Sequence, residues 1–315
     1  MSESGQQGID SESLPLHLAI IMDGNGRWAE DLGFPRAEGH RVGSEVVNQI
    51  VRCCRRWGLK HLTLYAFSEQ NWGRPQDEVG ALMGLLSQYL AEQRAEILER
   101  RIRLRAIGAL QKLPTMVRAP LLALIEETRE AQGMTLTLAL SYGGREEIVN
   151  ATRSIAQKII AGEMSPDEIT EETIREHLYT PDIPEPDLII RTSGEQRLSN
   201  FLLWQSAYTE FDFIPVPWPE FHEGILRESL SRFKKRERRF GLTSAQLHVS
   251  TTSADSSEVH DQSEMHNHHT AGSSISPALD TQYTDGETYS GSEYSSIKSV
   301  EPLSSQSTSP SLLKV

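Results

Sequence analysis

Four short segments of this 315-residue chain collect side chains that handle phosphate groups and metal ions. The first is Asp23-Gly24-Asn25-Gly26-Arg27-Trp28, followed by Arg36 and His40. The second holds Ser68, Glu69, Gln70, Asn71, Trp72 and Arg74. The third is Tyr142-Gly143-Gly144-Arg145. The fourth runs from Arg191 through Thr192, Ser193, Gly194, Glu195, Arg197, Leu198 and Ser199 to Asn200, with Glu210 shortly after. Arginine forks match phosphate oxygens in pairs, and glycine-rich backbone at a helix start offers N–H groups to an anion. Two carboxylates, Asp23 and Glu210, suffice for a hard ion such as Mg2+, which keeps waters and substrate phosphates as its other ligands. The implied chemistry is binding of two phosphate groups with metal assistance. Taken singly, each piece has an ordinary reading. Asp-Gly and Asn-Gly are common turn dipeptides, Trp72 is a packing residue, His40 lies on a helix surface, and Arg191 pairs with a nearby acid. Only their conjunction is specific.

For that conjunction to form, the four segments must meet. Leu18–Met22 is an apolar run suited to a buried strand. The pattern then predicts a helix from about Glu38 to Trp57, with Val42, Val46, Val47, Ile50 and Val51 on one face. A strand follows over Lys60–Phe67, a helix from Pro75 to about Arg101, a strand over Arg103–Ile107 and a helix over about 112–131. Next come a strand over Met134–Ser141, a helix over about 145–160 and a strand over Asp187–Arg191. The last helix runs from Pro219 to about Arg239 and stops at Gly241. Alternating strands and helices predict an α/β domain with a mostly parallel sheet. Ligands of such sheets bind outside the carboxyl ends of the strands, which is where all four segments fall.

Composition bounds the rest. The hydrophobic fraction is 37 % and the formal charge −13. From residue 243 onward nine acids face two lysines, so this stretch carries −7 of that charge. It contains no Trp or Phe and no sustained periodicity, which predicts disorder. The expected organisation is a flexible leader over 1–13, one catalytic domain over 14–241 and a disordered Ser/Thr-rich acidic tail over 242–315. The cluster Met265–His269 reads as part of a His-containing flexible tail. A mildly acidic core argues against nucleic acid as a partner, so anionic substrates must be met by local arginines. Adjacent Cys53 and Cys54 predict free thiols in a reducing compartment. The polar first residues predict no secretory signal, and no apolar run reaches the roughly 18 residues of a membrane span.

The segments in order resemble the cis-prenyltransferase (undecaprenyl diphosphate synthase) family. The matching blocks are HLAIIMDGNGRWAE at 17–30, RAEGH at 36–40, LYAFSEQNWGRP at 64–75, SYGGREEIV at 141–149 and RTSGEQRLSNFLLWQSAYTEF at 191–211. The resemblance implies condensation of isopentenyl diphosphate onto an allylic primer, farnesyl diphosphate, with Mg2+ as cofactor. Asp23 would ligate the metal beside the primer diphosphate, and Glu210 would complete the metal site. Gly24, Asn25, Gly26, Arg27, Arg36 and His40 would cradle the primer diphosphate. Asn71 would help remove the proton from the isopentenyl unit, while Ser68, Trp72 and Arg74 orient the reacting pair. Arg191, Arg197 and Ser199 would clamp isopentenyl diphosphate. Trp28, Glu69, Gln70 and Leu198, inside the same motifs, complete the substrate-binding set. Two departures from the family pattern are visible, Gln70 and Gln196 where relatives often carry Glu and His. The family builds an apolar tunnel between sheet and helices. Here Leu82, Leu85, Leu86, Tyr89 and Leu90 are expected to face Ala66, Met134, Leu136 and Leu138. The small Ala66 favours long products, with undecaprenyl diphosphate for a cell-wall carrier lipid as the leading expectation. A different chain length or an irregular terpene is the alternative. A non-catalytic partner subunit would lack the catalytic Asp, which this chain keeps. A trans-prenyltransferase needs an Asp-Asp pair and a P-loop kinase a Gly-Lys pair, and neither pair occurs. The family further implies a homodimer, a cytoplasmic location and peripheral membrane contact, to which the basic run Arg232–Arg239 is suited.

Overall fold

The computed structural model describes residues 14–236. The leader over 1–13, the tail over 242–315, Gly241 and the Met265–His269 cluster lie outside the described residues. In chain order the elements are β1 (His17–Ile21), α1 (Asn25–Asp31), α2 (Arg36–Trp57), β2 (His61–Ser68), α3 (Gln76–Glu99), β3 (Arg103–Ile107), α4 (Thr115–Glu127), β4 (Thr135–Tyr142), α5 (Gly144–Ile160), α6 (Glu171–His177), β5 (Leu188–Arg191), β6 (Glu210–Phe213) and α7 (Glu223–Lys234). The six strands form one sheet in the order β3-β4-β2-β1-β5-β6, and every neighbouring pair is parallel.

Both faces of the sheet are covered by core packing, which explains why β1 and β4 are buried at every position and read as continuous apolar runs. Successive side chains on a strand point to opposite faces. Leu18 and Ile20 accordingly enter the larger core, packed with residues of α2, α3, α4 and α7. Ala19 and Ile21 enter the smaller one, with Tyr65, Tyr142, Phe201 and Leu202. The apolar face of α2 packs as its spacing predicts, with Val46, Ile50 and Val51 buried, and the helix ends at Gly58 in the left-handed region (φ 90).

Three elements escape the sequence reading. The turn after β1 continues into α1, with Gly24 at φ 102 as its N-cap. Glycine is needed there because a Cβ would lie 2.8 Å from Ser193 Oγ and 2.9 Å from Pro217 Cβ. Strand β6 is only Glu-Phe-Asp-Phe and carries no apolar run, and α6 is short and acidic. The last helix starts at Glu223, because Trp218–Glu220 forms a separate 3-10 turn around Pro219.

Helix α2 crosses α1 closely at Gly39, where an added Cβ would fall on the carbonyl oxygen of Asn25. Gly39→Ala should therefore destabilise the fold by about 1–3 kcal/mol through overpacking. Chemical denaturation checks this, and an unchanged midpoint would contradict the close crossing.

Candidate active site

The loops after β1, β2, β4 and β5 converge at one end of the sheet around a cavity of about 710 Å³. Its lining draws on all four: Met22 and Asp23; Ser68, Gln70, Asn71 and Arg74; Arg145 and Glu146; Arg191, Arg197, Ser199 and Asn200. A second cavity of about 180 Å³ lies between the sheet, α2 and α3, lined by Ala66, Leu82, Leu85, Leu86, Tyr89 and Leu138 among others. Met22, Tyr65, Asn71 and Arg74 line both. The expected tunnel is thus present without Leu90, Met134 and Leu136, which are buried in the core instead. Ala66 reaches the cavity because the β2–β4 register shifts between Tyr65 and Phe67, and this bulge leaves Ala66 exposed within an otherwise buried strand.

Arg191 organises the polar cavity. It is 2 % exposed. One guanidinium nitrogen donates to Asp23 Oδ2 at 2.7 Å, and the other to Ser199 Oγ at 2.7 Å and to the Arg197 carbonyl. Thr192 Oγ1 accepts from the Asp23 N–H at 2.9 Å and donates to the Asp23 carbonyl at 2.7 Å, so both ends of this residue are fixed. Burial pushes the Asp23 carboxyl up, but Arg191, the Gly24 N–H and Arg27 outweigh it and hold the carboxyl below its ordinary value. His40 is lowered by burial and then by the charge of Arg74, against the opposing pull of Glu78.

The other expected arginines already have acidic partners. Arg27 pairs with Glu195 at 2.8 Å and with Asp23 at 3.5 Å. Arg197 also pairs with Glu195. Arg36 pairs with Glu30 at 3.0 Å and with Glu78 at 3.4 Å, and its guanidinium lies over Gly26. Arg74 pairs with Glu78 at 2.9 Å, and His40 lies 3.6 Å from the same carboxylate. Glu78 is thus the hub of this cluster. Sequence reasoning missed it, although Arg74 and Glu78 stand four residues apart, a spacing that supports a helical pair. Tyr65, Glu146 and Leu203 also line the polar cavity and were not singled out.

Several expected site residues are placed elsewhere. Glu210 opens β6 opposite Leu188, while Arg191 stands opposite Ile21 and Phe213. Three residues of strand rise, about 10 Å, therefore separate Glu210 from the end that carries Asp23. It pairs with Arg236 at 2.8 Å instead, so within this chain it does not join Asp23. Asn25 Nδ2 donates to the Met22 carbonyl at 3.1 Å and the residue lines the apolar cavity. Trp28 donates to Glu220 at 2.9 Å. Leu198 packs on the smaller core. Glu69 and Trp72 turn away from the polar cavity, Glu69 to Lys112 and Ser141 and Trp72 to Ser141 and Phe67. Asn71 Oδ1 accepts the Ser68 N–H at 2.9 Å. That bond fixes the amide and leaves Nδ2 and the second lone pair of Oδ1 for the cavity that Asn71 lines.

No group of three or more metal-ligating side chains occurs among the described residues. A single partly exposed carboxylate facing a phosphate-sized polar cavity nevertheless fits an ion such as Mg2+, which relies on one or two carboxylates and on substrate phosphates.

Comparison with known proteins gives a consistent result. Residues 21–241 match a family profile described as "Putative undecaprenyl diphosphate synthase". An isoprenyl transferase of Clostridium perfringens is 47% identical over 230 residues, covering 73% of this chain and 91% of that protein. A ditrans,polycis-undecaprenyl-diphosphate synthase of Micrococcus luteus, described as (2E,6E)-farnesyl-diphosphate specific, is 46% identical over 233 residues, covering 74% of this chain and 94% of that protein. Among solved structures, lavandulyl diphosphate synthase of Lavandula x intermedia superposes with a TM-score of 0.71 at 40% identity, covering 73% of this chain and 99% of that one. A "probable undecaprenyl diphosphate synthase" of Campylobacter jejuni superposes with a TM-score of 0.60 at 33% identity, covering 72% of this chain and 98% of that one.

Arg191→Met should raise the Asp23 titration from its depressed value, because burial pushes it up and only the Gly24 N–H and Arg27 then oppose it. In the parent protein the depressed carboxyl contributes stability that is full above the unfolded value and is lost as pH falls through the folded one. The variant should lose this contribution, on the order of 2 kcal/mol at neutral pH. Carbon-detected NMR titration of Asp23, with denaturation at pH 7, checks both. An unmoved titration would refute the pairing.

Proposed function

The chain belongs to the undecaprenyl diphosphate synthase family, the cis-prenyltransferases, and from that premise we propose that it extends farnesyl diphosphate with isopentenyl diphosphate to make undecaprenyl diphosphate. The observation that carries this reading is the pairing of a polar, arginine-lined cavity with an apolar one across a shared seam at Met22, Tyr65, Asn71 and Arg74. An allylic diphosphate has that dual character, a charged head and a hydrocarbon tail.

In the proposed arrangement the primer diphosphate lies over Gly24–Arg27, beside Asp23, Arg36 and Arg74, with its tail along Ala66, Leu85 and Leu138. Isopentenyl diphosphate is held by Arg197 and Ser199, with Arg191 fixing the position of Ser199. The bond between the primer's first carbon and its diphosphate breaks, the double bond of the isopentenyl unit attacks that carbon, and the unit gives up a proton to an oxygen of the departing diphosphate. Arginines on both diphosphates stabilise the charge that develops on the leaving group. Asn71, fixed through Oδ1 by the Ser68 N–H, presents Nδ2 and orients the reacting pair. Asp23 would hold Mg2+, which when bound supplies further positive charge to the departing diphosphate. A neutral His40, consistent with its lowered pKa, donates a hydrogen bond to the primer without adding charge.

The reading extends to a homodimer in the cytoplasm that touches the membrane receiving a carrier lipid for the cell wall. None of the described helices is long and apolar enough to cross a membrane. The structural likeness to lavandulyl diphosphate synthase favours one second reading, an irregular terpene synthase.

Incubation with farnesyl diphosphate, labelled isopentenyl diphosphate and Mg2+ should yield a long polyprenyl product on thin-layer chromatography. No product, with or without metal, would sink the proposal. Dimethylallyl diphosphate supplied alone should give none, and a ten-carbon product there would favour the second reading. Asp23→Ala should reduce turnover by at least about 100-fold with the fold intact, a loss of the size expected when a transition-state charge partner is removed. Ala66→Leu should shorten the product by filling the apolar cavity, and an unchanged chain length would contradict the assigned path.

A further inference from the structure

The polar cavity is bordered by a hydrogen-bonded relay that touches no part of it except through the turn it anchors. Lys112 forms an ion pair with one carboxylate oxygen of Glu69. The other oxygen accepts from Ser141 Oγ at 2.8 Å, and Ser141 Oγ accepts from Trp72 Nε1 at 2.7 Å. Every donor points towards Glu69, which takes its two neighbours as an acceptor compensated by the ammonium. The relay crosses the carboxyl ends of three adjacent strands, from the loop after β3 (Lys112) to the end of β4 (Ser141) to the 3-10 turn after β2 (Glu69–Gly73). Ser141 is 2 % exposed and sits at φ 47, a left-handed backbone a serine adopts only when its surroundings impose it. Its hydroxyl accounts for a serine at a position where glycine would be unstrained.

We infer that Lys112, Glu69 and Ser141 are positioning residues for the reaction, setting the 69–73 turn and through it Asn71. The inference rests on the prenyl-transfer reading above. The turn is held from two sides. Internally, Asn71 caps it through Ser68 and its carbonyl accepts from the Arg74 N–H at 3.1 Å. Externally, the relay holds Glu69 and Trp72, and the Trp72 ring packs edge-on against Phe67 at 4.8 Å. Between these two anchored side chains lie Gln70 and Asn71, which line the polar cavity, with Arg74 just beyond. Glu69, Lys112 and Ser141 line a neighbouring cavity of about 450 Å³ that shares Arg145 and Glu146 with the polar one. None of the three lines the polar cavity, so in this proposal they act by fixing the turn, and Glu69 is a positioning residue rather than a substrate ligand. A misplacement of about 1 Å at a reacting pair costs on the order of 100-fold in rate, so loosening the turn should appear in kcat.

The test compares the full chain with Glu69→Gln, Lys112→Met and Lys112→Arg, measuring kcat, KM for both diphosphates and the melting midpoint. Lys112 is half exposed, so its variants keep the fold even if Glu69→Gln does not. We expect Glu69→Gln and Lys112→Met to lower kcat at least tenfold, with each KM within twofold and melting little changed, and Lys112→Arg to recover most of the loss. A merely structural pair would shift melting and leave the kcat of the folded fraction intact. If the parent protein makes product while Lys112→Met keeps kcat within twofold, or loses only in KM, the positioning role is refuted and the functional reading stands. If the parent protein makes no prenyl product, the functional reading fails and the positioning role falls with it.

Discussion

The site is built on one buried charge. Arg191 ends β5 beside the end of β1, inside a sheet whose neighbouring positions are almost entirely apolar. A guanidinium cannot sit there without partners, because an unpaired buried charge costs several kcal/mol. Its donors therefore dictate what surrounds it. They require a carboxylate at the end of β1, met by Asp23, and oxygen acceptors folded back over β5, met by Ser199 and the Arg197 carbonyl. The same contacts that neutralise Arg191 bring the first and fourth loops together and keep Asp23 ionised.

That requirement shapes the long connection between β5 and β6. Both strands are parallel, so the chain must return from one end of the sheet to the other, and it does so over 192–209 without a helix. The segment turns back at Ser193, Ser199, Asn200 and Leu202, all with positive φ. Ser141, at the end of β4, shares this conformation. Five of the six described non-glycine residues with positive φ thus lie at the end of β4 or in the segment after β5, and two of them, Ser199 and Asn200, line the cavity. Such strain persists only where packing over-determines it. Here Phe201 stacks on Tyr65 with centroids 4.4 Å apart, and Asn200 caps α5 by accepting the Arg145 N–H at 2.8 Å while donating to Glu146 at 2.8 Å. Precision at the site comes from apolar packing beneath it.

This explains what was legible from the amino-acid order. Strands β1 to β5 and the long helices could be read because double-sided burial and one-sided helix packing each leave a periodic apolar trace. The convergence of Asp23, Ser68, Asn71, Arg191 and Ser199 then followed from the rule for parallel sheets. Glu210 did not follow, because its placement depends on which end of β6 it occupies, and β6 is too short and charged to show as a strand. Glu69 and Trp72 sit within a motif of cavity residues, yet a 3-10 turn sends neighbouring side chains in different directions, so adjacency could not separate those facing the cavity from those behind it. Glu78 and Lys112 carry no motif, and only the fold reveals what they touch.

The arrangement of carboxylates answers a remaining difficulty, how a chain with formal charge −13 holds two anions. Five arginines with no counter-charge, gathered at this end of the sheet, would repel one another. Instead Arg27 and Arg197 share Glu195, Arg36 and Arg74 share Glu78, and Arg191 holds Asp23. In the proposed arrangement a diphosphate gains the guanidiniums that face it by displacing their carboxylates, so its net affinity is the difference between two sets of charge-assisted bonds. The difference can remain favourable because each phosphate offers more oxygens in the fork geometry than one carboxylate does. It also stays moderate, because the carboxylates are tethered nearby and reclaim the arginines as a diphosphate departs. For repeated condensation a diphosphate must leave in every cycle. A cradle whose positive charge is lent by exchange rather than left unpaired satisfies binding and release with the same side chains.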